Sequence, residues 1–227
     1  SFTPTGGELS IELSSTLAGT VLSGLKAMED FPYDFSEAVI SRLYANLAVY
    51  NLLRDVKVDS PDLETQLKTE IRSGMEHLTR LQNADGGWGW AGGQDSLLYL
   101  SAYALLAISG ASDAGFLVSA ERLSKAQEYV ASGLYPADMK HEDYELDRLT
   151  LANYALYRSG AAPRALEDLY QSRDRLSPWG KALLAMTLSG SDTARTSVLL
   201  ADLQASAVRS ATGAYWQDAG GEWFNHA

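Results

Sequence analysis

From about residue 36 the spacing of apolar positions along this chain is helical. Val39 and Ile40, Leu43 and Tyr44, Leu47 and Ala48, and Leu52 recur at three- and four-residue steps, which predicts one apolar face on a helix over 36–54. Asp34 and Glu37 stand at capping-box spacing before it. A second helix is expected to open at Ser60-Pro61-Asp62, with serine as N-cap and proline at the first helical position. Its stripe is Leu63, Leu67, Ile71, Met75, Leu78 and Leu81. The pattern then predicts helices near 95–109, 117–132, 142–158, 163–172, 177–189 and 193–208. Some are apolar nearly all round, as in Leu97–Leu100 and Leu105–Ile108. Others carry charge on one side, as in Glu121-Arg122-Leu123-Ser124-Lys125. Buried helices alternating with amphipathic ones predict two concentric layers of helical hairpins. One segment differs: residues 8–14 alternate polar and apolar, the period of a half-buried strand. We therefore expect residues 1–15 to be a strand or linker from a preceding β domain, and 16–227 an α/α toroid.

An internal echo supports the hairpins. Leu78-Thr79-Arg80-Leu81-Gln82 leads to Gly86-Gly87-Trp88, and Leu200-Ala201-Asp202-Leu203-Gln204 leads to Gly213-Ala214-Tyr215-Trp216. A weaker version, Leu176-Ser177-Pro178-Trp179-Gly180, opens a buried helix. Tryptophan can fill the wedge between hairpins, glycine frees the backbone where the chain reverses, and Gln82 can bond backbone groups freed at a helix end. The expected turn residues are Gln82, Gly86, Trp88 and Trp90.

Composition narrows the chemistry. The 227 residues are 46% apolar, enough for a sizeable core, with 6 prolines and 19 glycines. The 18 Lys and Arg stand against 29 Asp and Glu, a net charge of −11. This argues against nucleic acid as a partner and against anionic membranes. There is no cysteine, so disulfides and thiolate metal sites are excluded. No cofactor is implied.

The turn resembles that of the terpenoid-cyclase-like α/α toroids, which include triterpene cyclases, protein prenyltransferase β subunits and the thioester domains of complement and alpha-2-macroglobulin proteins. Phe31-Pro32-Tyr33-Asp34-Phe35-Ser36-Glu37-Ala38-Val39-Ile40-Ser41-Arg42-Leu43 discriminates among them. It is similar to the bacterial alpha-2-macroglobulin segment Tyr-Pro-Tyr-Gly-Cys-x-Glu-Gln-x-x-Ser-Arg. In active members the Cys and Gln condense to an internal thioester that amines or hydroxyls open. Here Phe35 stands at the Cys position and Ala38 at the Gln position, while Ser36 and Glu37 keep their places. Neither a sulfur leaving group nor a side-chain acyl carbon remains. The resemblance is thus to the class lacking the thioester motif. Glu37 is expected to cap the helix and Phe35 to fill the former thioester pocket.

That resemblance implies a non-catalytic domain of a bacterial protease trap, periplasmic or at the cell surface. Its partners would be other domains of the same large protein and, through that protein, target proteases. The segment Gly220–Ala227 reads as a turn into a helix that never arrives, so the toroid is expected to be truncated. The alternative is a toroid enzyme acting on an isoprenoid or a carbohydrate. A cyclase would need an Asp-x-Asp-Asp run, and none occurs. A prenyltransferase needs a zinc site with cysteine, and His77, His141 and His226 are isolated. A glycosidase would need two carboxylates across a cleft. Asp85 and Asp95 flank the Trp88–Trp90 turn, but Asp85 is better read as a turn former and Asp95 as a helix cap. The tryptophans Trp88, Trp90, Trp179, Trp216 and Trp223 read as core staples.

Overall fold

Eight α-helices and one short hairpin follow the expected order in a computed structural model that describes residues 24, 35–57, 60–134, 142–211 and 213–217. The expected strand at 8–14, the boundary near residue 15, Asp34, His141, Trp223 and His226 lie outside those residues. The helices are α1 (Ser36–Asp55), α2 (Pro61–Leu81), α3 (Leu98–Asp113), α4 (Ala120–Ser132), α5 (Asp143–Arg158), α6 (Leu166–Gln171), α7 (Pro178–Leu188) and α8 (Thr193–Ser206). A 3-10 turn, Arg173–Arg175, separates α6 from α7. Strands β1 (Val208–Ser210) and β2 (Gly213–Tyr215) pair antiparallel, Val208 opposite Tyr215. Among the described residues no helix is long and apolar enough to cross a membrane.

Packing follows the two expected layers, within the compact unit of residues 34–227. Helix α1 packs on α3, α3 on α5 and α5 on α7, forming an inner series. The outer helices α2, α4 and α8 lie against α1, α3 and α7 respectively. Burial tracks position. Inner α3 buries Leu100, Ser101, Ala102, Ala111 and all of residues 104–109, whereas outer α4 buries only Ala126 and Val130. A helix covered on two sides needs apolar residues round most of its circumference, and an outer one needs a single stripe. The far hairpins share a leucine core in which Leu146 and Leu149 of α5 meet Leu184 and Leu188 of α7, closed by Leu169 and Leu199. The fold is an all-α, toroid-like arrangement of hairpins.

Several sequence expectations need correction. The buried face of α1 runs through Val39, Ile40, Leu43, Asn46, Leu47 and Tyr50, while Leu52 is exposed and Tyr44 is only partly covered. The stripe turns with the 3.6-residue period, so Tyr44 and Ala48, the second members of the later pairs, drift off it while Ile40 stays buried. The capping partner expected for Glu37, Asp34, lies outside the described residues. The N-cap of α1 is Phe35, and among the described residues the Glu37 carboxylate accepts a bond from Ser41. Asp95 does not cap the next helix, because residues 94–97 are held by the preceding turn and α3 begins after Leu97. The predicted helix 163–172 shrinks to α6, since Ala165 adopts a left-handed φ of 53° and the Arg164 N–H is held by Asn153 Oδ1. The helix expected to reach 208 stops at Ser206, and its tail enters β1.

Ser60 is the N-cap of α2, with Pro61 at its first position, as expected, but its side chain makes no capping bond. Pro178 occupies the first turn of α7, where the Ser177 hydroxyl accepts from the Gly180 N–H at 3.0 Å. At the acidic start of α5 the Glu142 N–H donates to the Glu145 carboxylate at 3.0 Å. Asp143 pairs with Arg175. Asp147, one turn further, is buried and accepts from the Ser177 N–H, tying the start of α7 to α5.

Candidate functional site

The two segments singled out in the sequence meet in space. Phe35, Ser36, Glu37 and Ala38 form the N-cap and first turn of α1. Gln82, Gly86, Trp88 and Trp90 lie in the sixteen-residue connection 82–97 between α2 and α3. The join is direct. The rings of Phe35 and Trp90 stack at 5.0 Å with an interplanar angle of 11°, and the Ser36 N–H donates to the Trp90 carbonyl at 3.0 Å. That bond satisfies one of the orphan amides at the head of α1.

A set of hydrogen bonds holds the connection in place. The Asn83 N–H donates to the Gly87 carbonyl, and the Gly86 N–H to the Asn83 carbonyl. Asp85 Oδ1 accepts from the Gly87 N–H and from Ser96 Oγ, both at 2.9 Å. Asp85 is therefore a turn former. Gly86 has φ of +91°, and a Cβ there would collide with the Lys125 carbonyl of α4. Gln82, buried, donates to the Gly86 carbonyl at 2.9 Å and to the Arg122 carbonyl at 3.1 Å, and accepts from the Arg122 guanidinium. It thus fastens the turn to α4 as well as closing its own helix. Trp88 is fully buried, donates from its ring to the Leu78 carbonyl at 2.8 Å, and donates its backbone N–H to Ser101 Oγ.

The tryptophans divide. Trp88 is a core staple, while Trp90, Trp179 and Trp216 are 49%, 44% and 49% exposed. The second echo keeps one element of the first: the Trp216 ring also donates to a carbonyl of the preceding helix, that of Leu203. That acceptor is the second leucine of its Leu-x-x-Leu-Gln run, whereas Leu78 is the first of its own. The chain after it forms an exposed hairpin, not a buried turn.

Sequence reasoning missed the neighbours on α1 and α3. Ser41 Oγ donates to Glu37 Oε1 at 2.8 Å and lies 3.2 Å from the Tyr103 hydroxyl. With the serine proton on Glu37, Tyr103 donates to Ser41, giving a chain Tyr103–Ser41–Glu37. Tyr103 stacks with Tyr44 at 5.7 Å and lies 6.4 Å from Tyr99. Burial raises the pKa of Tyr44, and the Tyr154 phenol raises it further. Burial likewise raises Tyr99, helped by Tyr103 and Glu37. The available signal was Tyr99 and Tyr103, four residues apart in an otherwise apolar helix, whose hydroxyls need partners when buried.

Ser36 is fully buried, and its Oγ has no hydrogen-bond partner among the described residues. Ser41 faces a carboxylate, a weak base for activating a hydroxyl at neutral pH. Among the described residues no three His, Asp or Glu side chains gather as a metal site. Aromatic stacking and hydrogen-bond positioning are what this arrangement provides.

No protein-family model matches the sequence. A stretch of 140 residues, 60% of this chain, is 27% identical to an alpha-2-macroglobulin of Thermotoga maritima and covers 9% of that protein. Native alpha-2-macroglobulin of E. coli superposes with a TM-score of 0.67 at 19% identity, over 82% of this chain and 12% of that one. Its fragment from domain MG7 to the C-terminus gives 0.65 at 19%, over 81% and 30%. Salmonella alpha-2-macroglobulin reacted with methylamine gives 0.67 at 17%, over 85% and 13%. At these identities the structural likeness carries the fold. This chain spans only a small part of each relative.

Proposed function

We propose, from the premise that this chain is a homologue of bacterial alpha-2-macroglobulins, that it is a non-catalytic structural domain of a protease-trapping protein that holds its target without a covalent bond. The carrying observation is Phe35 as N-cap and Ala38 within the first turn of inner helix α1, in a chain with no cysteine. An internal thioester joins a sulfur to a side-chain acyl carbon. A benzyl and a methyl group supply neither. What stands there instead is the Phe35–Trp90 stack, which fixes the head of α1 against the turn by apolar contact. The family resemblance places the domain among others of one large protein in the periplasm or at the cell surface, and that placement is part of the proposal.

Two experiments test it. Radiolabelled methylamine is expected to leave this chain unlabelled, and stoichiometric incorporation would refute the loss of acyl chemistry. In the intact protein carrying this chain, a protease that has cleaved it is expected to go on cutting a small chromogenic substrate while losing access to a large protein substrate. Boiling in SDS should then release the protease whole. A covalent protease adduct, or unimpeded cleavage of the large substrate, contradicts the proposal.

A further inference from the structure

A groove of about 630 Å³ lies between outer helix α2 and the loop that joins α3 to α4. Of its lining residues, Arg122 also bonds Gln82 of the Phe35–Trp90 site. Its α2 wall carries Lys68, Arg72, Glu76 and Arg80 at four-residue steps, and Arg122 of α4 also lines it. Four cations against one carboxylate is a concentration of positive charge in a chain whose net charge is −11. Lys68 is paired with Glu64. Arg72 and Arg80 are exposed and make no ion pair among the described residues.

The opposite rim is apolar. Gly115 turns the loop with φ of +89°, and Phe116 packs edge-on against Tyr50 at 5.4 Å. With Phe116 anchored inward, Leu117 points outward and is 100% exposed. The N–H groups of Leu117 and Val118 make no hydrogen bond among the described residues. An aliphatic side chain and two free amides beside a cationic stripe match an extended backbone with alternating acidic and apolar side chains.

We propose that this groove binds an extended acidic polypeptide segment bearing aliphatic or aromatic side chains. Arg72 and Arg80 receive the carboxylates, Leu117 and the floor formed with Met75 receive the apolar side chains, and the free amides pair with the segment's backbone. A lipid surface would leave the Leu117 and Val118 amides without the backbone partners that an extended segment supplies, and this inference does not depend on the protease-trap reading.

The probe is a short fluorescein-labelled peptide alternating Glu with Leu, titrated against the whole chain. Saturable binding is expected, weakening as salt rises. The peptides alternating Lys with Leu and Glu with Ser should bind at least about tenfold more weakly. The double variant R72E/R80E should lose about tenfold or more, and L117S should also weaken binding. All three positions are exposed, and unchanged circular dichroism will show that the variants fold. Absence of saturable Glu–Leu binding, equal binding of either control peptide, or undiminished binding by R72E/R80E overturns the proposal. Preference for phosphatidylserine vesicles over the Glu–Leu peptide also overturns it.

Discussion

The hydroxyl of Ser36 is sealed inside the protein with nothing among the described residues to receive it. A buried polar group without a partner costs about 1–3 kcal/mol, so Ser36→Ala is expected to leave stability unchanged or raise it by up to about 1 kcal/mol. Urea denaturation measures this, and a clear loss would mean the hydroxyl has a partner. Gly180 presents the opposite case. A Cβ there would run into the Asp147 carboxylate that holds the Ser177 amide. Gly180→Ala should therefore cost about 3 kcal/mol through overpacking and a disturbed buried acceptor. Gly213→Ala, with open space around it, should change stability by less than about 0.5 kcal/mol. Tyr44 and Tyr99 give a pH dependence. Burial raises both above the ordinary tyrosine value of 10.0. The folded state then holds its phenolic protons more tightly than the unfolded chain does. The stability they contribute is complete below pH 10 and declines as pH climbs from there through their raised values. A spectrophotometric phenolate titration should show a late fraction, and Tyr44→Phe should shrink it.

At the scale of elements the connection 82–97 does more to position the site than any helix does. Trp88→Ala empties a fully buried place and orphans a hydrogen bond to Leu78, so a loss of about 3–5 kcal/mol is expected. Trp90→Ala removes a half-exposed ring and its stack on Phe35, so about 1 kcal/mol is expected. Comparing the two midpoints in one denaturant series checks the division. The helices themselves were legible because apolar spacing reports burial directly. The ends were less so. Residues 94–97 carry helix-like composition, yet the Asn83 amide and the Trp88 carbonyl claim their backbone first. Phe35 and the turn tryptophans could each be picked out in the sequence. Their contact could not, because nothing local brings together residues fifty-five positions apart. The Tyr103–Ser41–Glu37 chain was hidden for the same reason: its members belong to two helices whose adjacency only the fold decides.

For the whole molecule, layer position sets exposure. Amides in the middle of α3 and α5, covered on both sides, are expected to exchange with deuterium most slowly, and those of α6 and the β1–β2 hairpin fastest. Mass-spectrometric exchange tests this, and equal protection of α4 and α5 would contradict the two-layer description. The inner series passes from α1 to α3, to α5, to α7, each helix touching its predecessor and its successor in the series and its own outer partner. Such an arrangement behaves like a ladder. Damage to one rung is felt by the rungs beside it and hardly beyond, so thermal loosening can start at one place and spread stepwise. For the same reason a change that inserts or deletes a whole helical pair disturbs two junctions and leaves every other one intact. Kindred chains are thus free to drift in length by complete pairs more readily than by single helices.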